Sequence, residues 1–367
     1  MPETIKILIS GGGTGGHIFP AIAIANAIKE KLTDVDIHFV GALGRMEMDK
    51  VPMAGFPITG LWISGLQRKL TTKNLLFPIK VILSIFKSYR IIKKFNPNVV
   101  IGTGGYASGP LLYAASQKKI PTFIHEQNAF PGITNKMLGK SVNKVCVSYP
   151  NMEKYFPKEK IIITGNPIRK EILNLSPTKK ESLDFFKLGH VKQTLLVIGG
   201  SQGAKQINIA VAENLNKLLS LNLQIIWQTG NTSKDIAQKA ANGNKHVVVT
   251  EFIQEMDMAY AASDFIISRA GAIAIAEIIA AKKPSIFIPL PTAAEDHQTK
   301  NALSLVNGNA ALMISENDAV CSLTSVVRSL VENTGLQKTI INNLGAFSYP
   351  DAAENIANVV LKMANKK

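Results

Sequence analysis

The chain has 367 residues, 46% of them hydrophobic and 18% charged, and 41 Lys and Arg against 26 Asp and Glu give it a net charge of +15. This excludes a disordered chain and a small disulfide-stapled scaffold, and it fits about two globular domains. Two cysteines, Cys146 and Cys321, supply neither a disulfide framework nor metal-ligand spacing, and the N-terminus lacks the basic leader of a signal peptide, so a reducing cytoplasm is expected.

Short apolar runs alternate with helical patterns along the whole chain. Strands are expected at 5–9, 36–40, 98–101, 120–124, 143–147 and 161–163, then at 194–198, 223–227, 246–250, 264–267 and 284–288. Continuous apolar runs such as "NVVIG" and "TLLVIGG" mark strands buried on both faces. Helical patterns between them give βαβ units, hence an α/β chain with two doubly wound parallel sheets. A polar break at 165–192 separates the halves.

The first strand runs into Gly11–Gly16, five glycines in six residues, followed by His17. A glycine-rich turn at a helix start offers unpaired N–H groups and partial positive charge, and lets a phosphate or sugar approach the backbone. Gly11-x-Gly13-x-x-Gly16 also spells a dinucleotide fingerprint. That site wants an acid at the end of the next strand, and here that strand, "DIHFVGALG", ends in glycine while Asp34 and Asp36 sit before it, at the wrong end. The same position discounts "DVD" at 34–36 as a metal-binding Asp-x-Asp, and no metal or cofactor is expected. His17 falls in the first turn of its helix, where the dipole disfavours imidazolium. A neutral imidazole at a sheet's ligand edge suits a general base; a capping or packing histidine is the plainer alternative.

Between Asp49 and Glu126 no acid occurs, while eleven Lys or Arg do, which points to an anionic partner. From Pro78 the run to Phe95 reads as a helix with Lys80, Lys87 and Lys94 seven residues apart and Arg90 and Lys93 nearby. Ile82, Leu83, Ile85 and Phe86 fill the rest. Its lysines are too frequent for a transmembrane span, and a basic amphipathic helix suits an anionic membrane surface. The alternative is a core-packing helix with a solvated face. Trp62, Leu66, Arg68 and Lys69, in the loop 61–74, add to this region.

A third glycine cluster, "IGTGGYASGP" (101–110), follows another strand, and "LLVIGGSQGA" repeats the first device in the second half. Loops at the carboxyl ends of strands are where open α/β sheets bind ligands. In 251–302, "SRAGA" is a turn and 272–281 a helix. Glu277 in its Ala-rich run suits the two hydroxyls of a ribose, or else lies on an exposed stripe. His297, Gln298 and Asn301 open a later helix and offer polar groups to a sugar. Arg169, in "GNPIR", would reach a phosphate, or else is a hinge arginine in an ordinary surface pair.

"GGTGGHIFP", "GTGGYASGP", "HEQNAFPGITNK", "GNPIR", "GGSQGA", "EFI", "SRAGAIAIAE" and "EDHQTKNA" occur in this order. Together they resemble glycosyltransferase family 28, over essentially the whole chain. The resemblance implies an enzyme that moves N-acetylglucosamine from UDP-N-acetylglucosamine to undecaprenyl-diphospho-N-acetylmuramoyl-pentapeptide (lipid I), giving lipid II in peptidoglycan synthesis. It implies the GT-B fold, two Rossmann-like domains facing across a cleft: residues 1–165 with 347–367 for the acceptor and membrane, and 166–346 for the nucleotide. Glu277 would accept the ribose hydroxyls, with the backbone of Ala272 and Ile273 in the same turn and that of Ile253 at uracil. Ser201 and Arg169 would contact the diphosphate, and Gln298 and Asn128 the N-acetylglucosamine. Thr14, Gly15 and Gly16 would line the side facing the donor. Gly13, Tyr106 and Asn135 match acceptor positions, with His17 as the leading base and Glu126 its competitor. The family commonly has threonine where this chain has Ala274. The implied location is peripheral, on the cytoplasmic face of the plasma membrane, with no nucleic acid as partner.

Two rivals stay open at this point. A UDP-N-acetylglucosamine 2-epimerase shares the twin-Rossmann plan and the nucleotide. A non-catalytic, basic nucleic-acid-binding protein would explain the charge, but the basic stretch is interleaved with aliphatics rather than stacking aromatics.

Overall fold

The computed structural model describes residues 4–65, 75–200 and 203–365. Two compact units emerge, Met1–Ile168 with Asp351–Lys367, and Arg169–Pro350. Their borders fall a few residues after the 165/166 and 346/347 that the family resemblance implies.

The first unit runs β1 (Ile5–Gly11), α1 (Gly15–Lys31), β2 (Val35–Ala42), α2 (Glu47–Met53), β3 (Ile58–Leu61), α3 (Phe77–Phe95), β4 (Val99–Gly104), α4 (Ser108–Gln117), β5 (Thr122–Glu126), α5 (Ile133–Gly139), β6 (Lys144–Val147) and β7 (Ile161–Ile163). The strands form one parallel sheet in the order β3-β2-β1-β4-β5-β6-β7. Side chains alternate across it, as the strand period of two demands. Ile7 and Ile9 of β1 and Val99 and Ile101 of β4 pack on one face with Ile18, Ile24 and Ile28 of α1 and with Ile356 and Val360 of the C-terminal helix Ala352–Ala364. Leu8 and Val100 point to the other face, against Leu111 and Leu112 of α4. Both faces are covered, which is why these strands read as unbroken apolar runs.

The second unit runs α6 (Lys170–Leu173), α7 (Lys179–Phe185), β8 (Gln193–Ile198), α8 (Lys205–Leu219), β9 (Leu223–Gln228), α9 (Lys234–Ala241), β10 (Val247–Thr250), α10 (Met256–Ala262), β11 (Phe265–Ser268), α11 (Ala272–Ala280), β12 (Ser285–Phe287), α12 (His297–Val306), β13 (Leu312–Met313), α13 (Ala319–Glu332) and α14 (Thr334–Leu344). Its parallel sheet has the order β10-β9-β8-β11-β12-β13. Strand order reverses between β1 and β4 in one unit and between β8 and β11 in the other. Outside those carboxyl ends lies the usual ligand crevice of such sheets.

Two strands escape the sequence pattern, β3 and β13. Both are short edge strands paired on one side, so neither carries the apolar run of a central strand. Asp36 sits inside β2 rather than before it, still at the end away from the ligand loops.

The basic helix α3 differs from its expected layout. Its fully buried residues are Ser84, Ser88 and Ile92, and Val81, Tyr89, Ile91 and Phe95 pack partly buried against the core. Other large apolar side chains point out: Leu75 and Leu76 just before it, then Ile79, Ile82, Leu83 and Phe86. Lys80 donates to Ser64 Oγ and lies over the Trp62 ring, while Lys87 donates to the Gly60 carbonyl. The lysine spacing that suggested a single charged side therefore partly serves to tether the helix to β3 and the segment after it. No helix among the described residues is long and apolar enough to cross a membrane. Leu66, Arg68 and Lys69 lie outside the described residues.

Candidate active site

In the first unit the expected site residues lie on the loops that follow the carboxyl ends of β1, β4 and β5. Internal packing explains much of the first glycine run. A Cβ on Gly12 would stand 2.1 Å from Glu47 Oε1, and one on Gly105 (φ +86°) would stand 2.1 Å from the Gly12 carbonyl. The two glycine loops thus interlock through their backbones. Glu47, fully buried, accepts the Gly13 N–H on Oε2 and the Ala42 N–H on Oε1, both at 3.0 Å, and so pins the loop to the end of β2. Beyond that lock the loop opens: Gly16 has only the Thr14 hydroxyl near its Cβ direction. Thr14 is the N-cap of α1 and Gly15 its first residue. Gly13 lies beside Tyr106, whose ring is partly exposed.

His17 occupies the first turn of α1. Its Nδ1 lies 3.1 Å from Gln127 Oε1, and its ring packs on Gly104 (φ +100°), where a Cβ would stand 2.8 Å from Nδ1. Gln127 Nε2 in turn donates to the Thr103 carbonyl at 2.9 Å and lies 3.0 Å from His125 Nδ1. His125 Nε2 donates to the Gly165 carbonyl. Burial disfavours the charged ring of His125 and lowers its pKa to about 4.

Glu126 also is buried, at the end of β5, and its carboxylate is heavily engaged. Oε1 accepts the Asn128 N–H (3.0 Å) and the Asn128 side-chain amide (3.1 Å); Oε2 accepts the Gly132 N–H (3.2 Å) and Asn135 Nδ2 (2.8 Å). An ionised carboxylate has about four lone-pair sites. Glu126 thus closes the turn 126–135 around itself. Asn135, also buried, gives its amide hydrogens to Glu126 and to the His125 carbonyl.

In the second unit, Glu277 lies inside α11 and is buried, which excludes the exposed-stripe alternative. Arg169 grips its Oε1 through Nε (3.0 Å) and Nη2 (2.9 Å), and the buried Tyr260 hydroxyl donates to Oε2 at 3.1 Å. Desolvation raises the Glu277 pKa, opposed by the Arg169 charge and these hydrogen bonds. Desolvation, then the Glu277 charge, raise Tyr260 well above the ordinary phenol range. The Arg169 side chain is 46% exposed, against 9% for Glu277. The carboxylate is fixed while its partner has room to leave.

Around it, Gly271 is the N-cap of α11 and Ala272 and Ile273 its first residues. Ile253 is buried, and its neighbour Phe252 is half-exposed. Gln298, in the first turn of α12, accepts the Leu290 N–H on Oε1 at 3.0 Å. His297 opens that helix, and Asn301 is buried and donates to the Ala270 carbonyl. Ser201 lies outside the described residues. In the turn after β8, a Cβ on Gly203 (φ +77°) would stand 2.0 Å from the Thr229 carbonyl.

The fold gathers His17, Glu126, Asn128, Tyr106 and Asn135 with Gly13–Gly16 at the carboxyl edge of one sheet. It gathers Arg169, Ala272, Ile273 and Glu277 in the other unit. Sequence reasoning assigned no role to Gln127, Glu47 or Tyr260. Gln127 stands inside the quoted "HEQN", so the motif itself flagged it. Nothing local marks Glu47 or Tyr260, since each acts on a segment distant in sequence.

The glycosyltransferase family 28 N-terminal domain matches residues 7–147, and the family's C-terminal domain matches residues 194–356. The chain is 46% identical over 365 residues to the UDP-N-acetylglucosamine–N-acetylmuramyl-(pentapeptide) pyrophosphoryl-undecaprenol N-acetylglucosamine transferase of Flavobacterium psychrophilum, covering 100% of this chain and 99% of that one. It is 48% identical over 367 residues to the transferase of the same name from Cytophaga hutchinsonii, again covering 100% and 99%. The crystal structure of Acinetobacter baumannii MurG superposes with a TM-score of 0.78 at 27% identity, over 98% of this chain and 99% of that chain.

Proposed function

We propose a function from one premise: the chain belongs to glycosyltransferase family 28. Its two parallel-sheet domains are the GT-B fold. It is an N-acetylglucosaminyltransferase that uses UDP-N-acetylglucosamine and lipid I to make lipid II for peptidoglycan. The observation that carries this is near-half identity, over the full length of both chains, to relatives named for that transfer. The epimerase reading rests on a shared fold alone: a UDP-N-acetylglucosamine 2-epimerase structure superposes over 100% of this chain with a TM-score of 0.67, at only 13% identity.

In the reaction, the 4-hydroxyl of the muramoyl sugar attacks the anomeric carbon of N-acetylglucosamine. The bond from that carbon to the UDP oxygen breaks, a β-1,4 bond forms with inversion, and UDP leaves with the electron pair. We assign the hydroxyl proton to His17. Glu126 is the weaker candidate, because its four acceptor sites already hold the turn 126–135. The turn keeps Asn128 in place for the donor sugar and Asn135 behind it. Gly13 and Tyr106 are assigned to the acceptor, and Thr14, Gly15 and Gly16 to the donor side.

Glu277 is assigned to the ribose hydroxyls, with the backbone of Ala272 and Ile273 beside it, Ile253 at uracil, Gln298 at the sugar and Ser201 at the diphosphate. Arg169 supports this: it is half-exposed and one of two groups on a buried carboxylate. Ribose hydroxyls can replace it there while the guanidinium turns to the diphosphate and stabilises the leaving group.

The exposed Ile79, Ile82, Leu83 and Phe86, followed by Arg90, Lys93 and Lys94, support peripheral attachment to an anionic membrane surface, where the lipid-linked acceptor resides. The cytoplasmic face, and a part in cell shape and division, belong to the same proposal. Radiolabel transfer from UDP-N-acetylglucosamine to a short-chain lipid I analogue tests the function. Conversion of UDP-N-acetylglucosamine alone to its manno isomer would instead establish an epimerase. For the membrane, sedimentation should be stronger with anionic than with neutral liposomes and weakened by Ile82→Ser/Phe86→Ser; equal binding to both removes the electrostatic part.

A further inference from the structure

The donors and acceptors behind His17 admit one consistent arrangement of protons. The starting points are two backbone carbonyls. Gln127 Nε2 lies 2.9 Å from the Thr103 carbonyl oxygen and 3.2 Å from that of His125. Carbonyls only accept, so the amide nitrogen must face them; the flipped amide would set oxygen against oxygen twice. The Gln127 oxygen therefore faces His17 Nδ1 at 3.1 Å. An amide oxygen also only accepts, so Nδ1 must carry the proton.

The same logic runs the other way. The amide nitrogen lies 3.0 Å from His125 Nδ1, which then accepts, and His125 carries its proton on Nε2, given to the Gly165 carbonyl at 3.0 Å. Complete burial keeps that ring neutral. A second proton on His125 would point an N–H at an N–H. Gln127 is itself held, its carbonyl accepting from Asn166 Nδ2 at 3.0 Å, and the His17 ring lies against Gly104, where a Cβ would stand 2.8 Å from Nδ1.

We infer that His125 and Gln127 are positioning residues that hold His17 as its Nδ1–H tautomer, so that the basic lone pair is on Nε2. The relay runs from the Gly165 carbonyl at the end of β7, through His125 on β5 and Gln127 just beyond it, to the first turn of α1. It rests on the assignment of His17 as base for its catalytic meaning, but the proton placement stands alone. A histidine whose protonated nitrogen faced the substrate hydroxyl could not take its proton. A partner that fixes the other nitrogen is the recurring remedy.

The test is nitrogen NMR of the full chain labelled with 15N-histidine at neutral pH, with the signals assigned by His17→Gln and His125→Asn. His17 should carry its proton on Nδ1 and His125 on Nε2, opposite tautomers in one protein. Finding Nε2–H, or an even mixture, on wild-type His17 overturns the proposal. Gln127→Leu removes the acceptor and should release His17 toward Nε2–H. Its kcat should fall at least about tenfold, as for a base in the wrong tautomer, with the donor KM little changed. An unchanged His17 tautomer in Gln127→Leu makes Gln127 a packing residue and also overturns the proposal. Failure of the base assignment looks different: His17→Ala would turn over at the wild-type rate whatever the tautomer.

Discussion

The two sheets share a plan and differ in how they use a buried carboxylate. In both, strands run outward from a central reversal, β1/β4 and β8/β11, and a glycine-rich turn follows the first strand of each set. In the first unit Glu126 is ringed by donors from its own turn, two of them backbone N–H groups. In the second, Glu277 is held by one rigid donor, Tyr260, and one half-exposed one, Arg169. Both carboxylates are buried, yet one is ringed by its own turn, while the other, on the proposed function, would exchange Arg169 for a ribose. What occupies a carboxylate's lone pairs, and how easily that group can leave, separates an anchor from a binding group.

The sharpest break would come at the base. His17→Ala should lower kcat by about 10²- to 10⁴-fold, the usual worth of a general base, with the UDP-N-acetylglucosamine KM little altered. Steady-state transfer assays decide it. If Glu126→Gln gave that collapse instead, at unchanged thermal stability, the anchor reading of the first unit would be wrong.

Next comes the exchangeable carboxylate. Glu277→Gln should raise the donor KM or Kd by roughly 10- to 100-fold, the equivalent of about 1.5–3 kcal/mol for hydrogen bonds to a charged group. Titration calorimetry with UDP would register the same loss. Unchanged affinity would make the Arg169–Glu277 pair structural and erase the contrast.

The anchor should appear as stability. Glu126→Ala leaves the Asn128 and Gly132 N–H groups and the Asn135 amide without their acceptor, at about 1–3 kcal/mol each. A fall in Tm on the order of 10 °C is expected by scanning calorimetry. Glu126→Gln, which keeps an acceptor oxygen, should recover part of it.

A separate test is that of pH. The folded-state pKa of His125 is lowered from 6.5 to about 4. Above pH 6.5 the ring is neutral both folded and unfolded, and its contribution is complete. As pH falls from 6.5 toward 4 the unfolded chain takes up the proton first, so about 3 kcal/mol is lost across that window. Denaturant melts at pH 7 and pH 4.5 should differ accordingly, and His125→Asn should flatten the difference.

How far the site could be read in advance varied residue by residue. Glu277 stood out because a carboxylate in "AIAIAEIIA" has few reasons to be there, and it is buried. Arg169 was legible as a cation, but its grip on Glu277, 108 positions away, was not. Helix α3 was legible as basic and amphipathic, yet which side turned inward was not. The period of 3.6 gives the spacing of a stripe and not its direction: Ser84, Ser88 and Ile92 are buried, while Ile79, Ile82, Leu83 and Phe86 stay outside.

The sequence alone determined the alternation of strands and helices, the parallel character of both sheets, the turns that carry ligand loops and the family. These follow from local patterns: apolar runs, glycines at strand ends and motifs in order. Only the tertiary structure decided that Glu47 locks the first glycine loop, that Glu126 is filled by its own turn, and that Gln127 sets the proton on a histidine 110 positions earlier. Periodicity reports which face a residue lies on. The state of a lone pair depends on which donor reaches it, and folding brings that donor from another part of the chain.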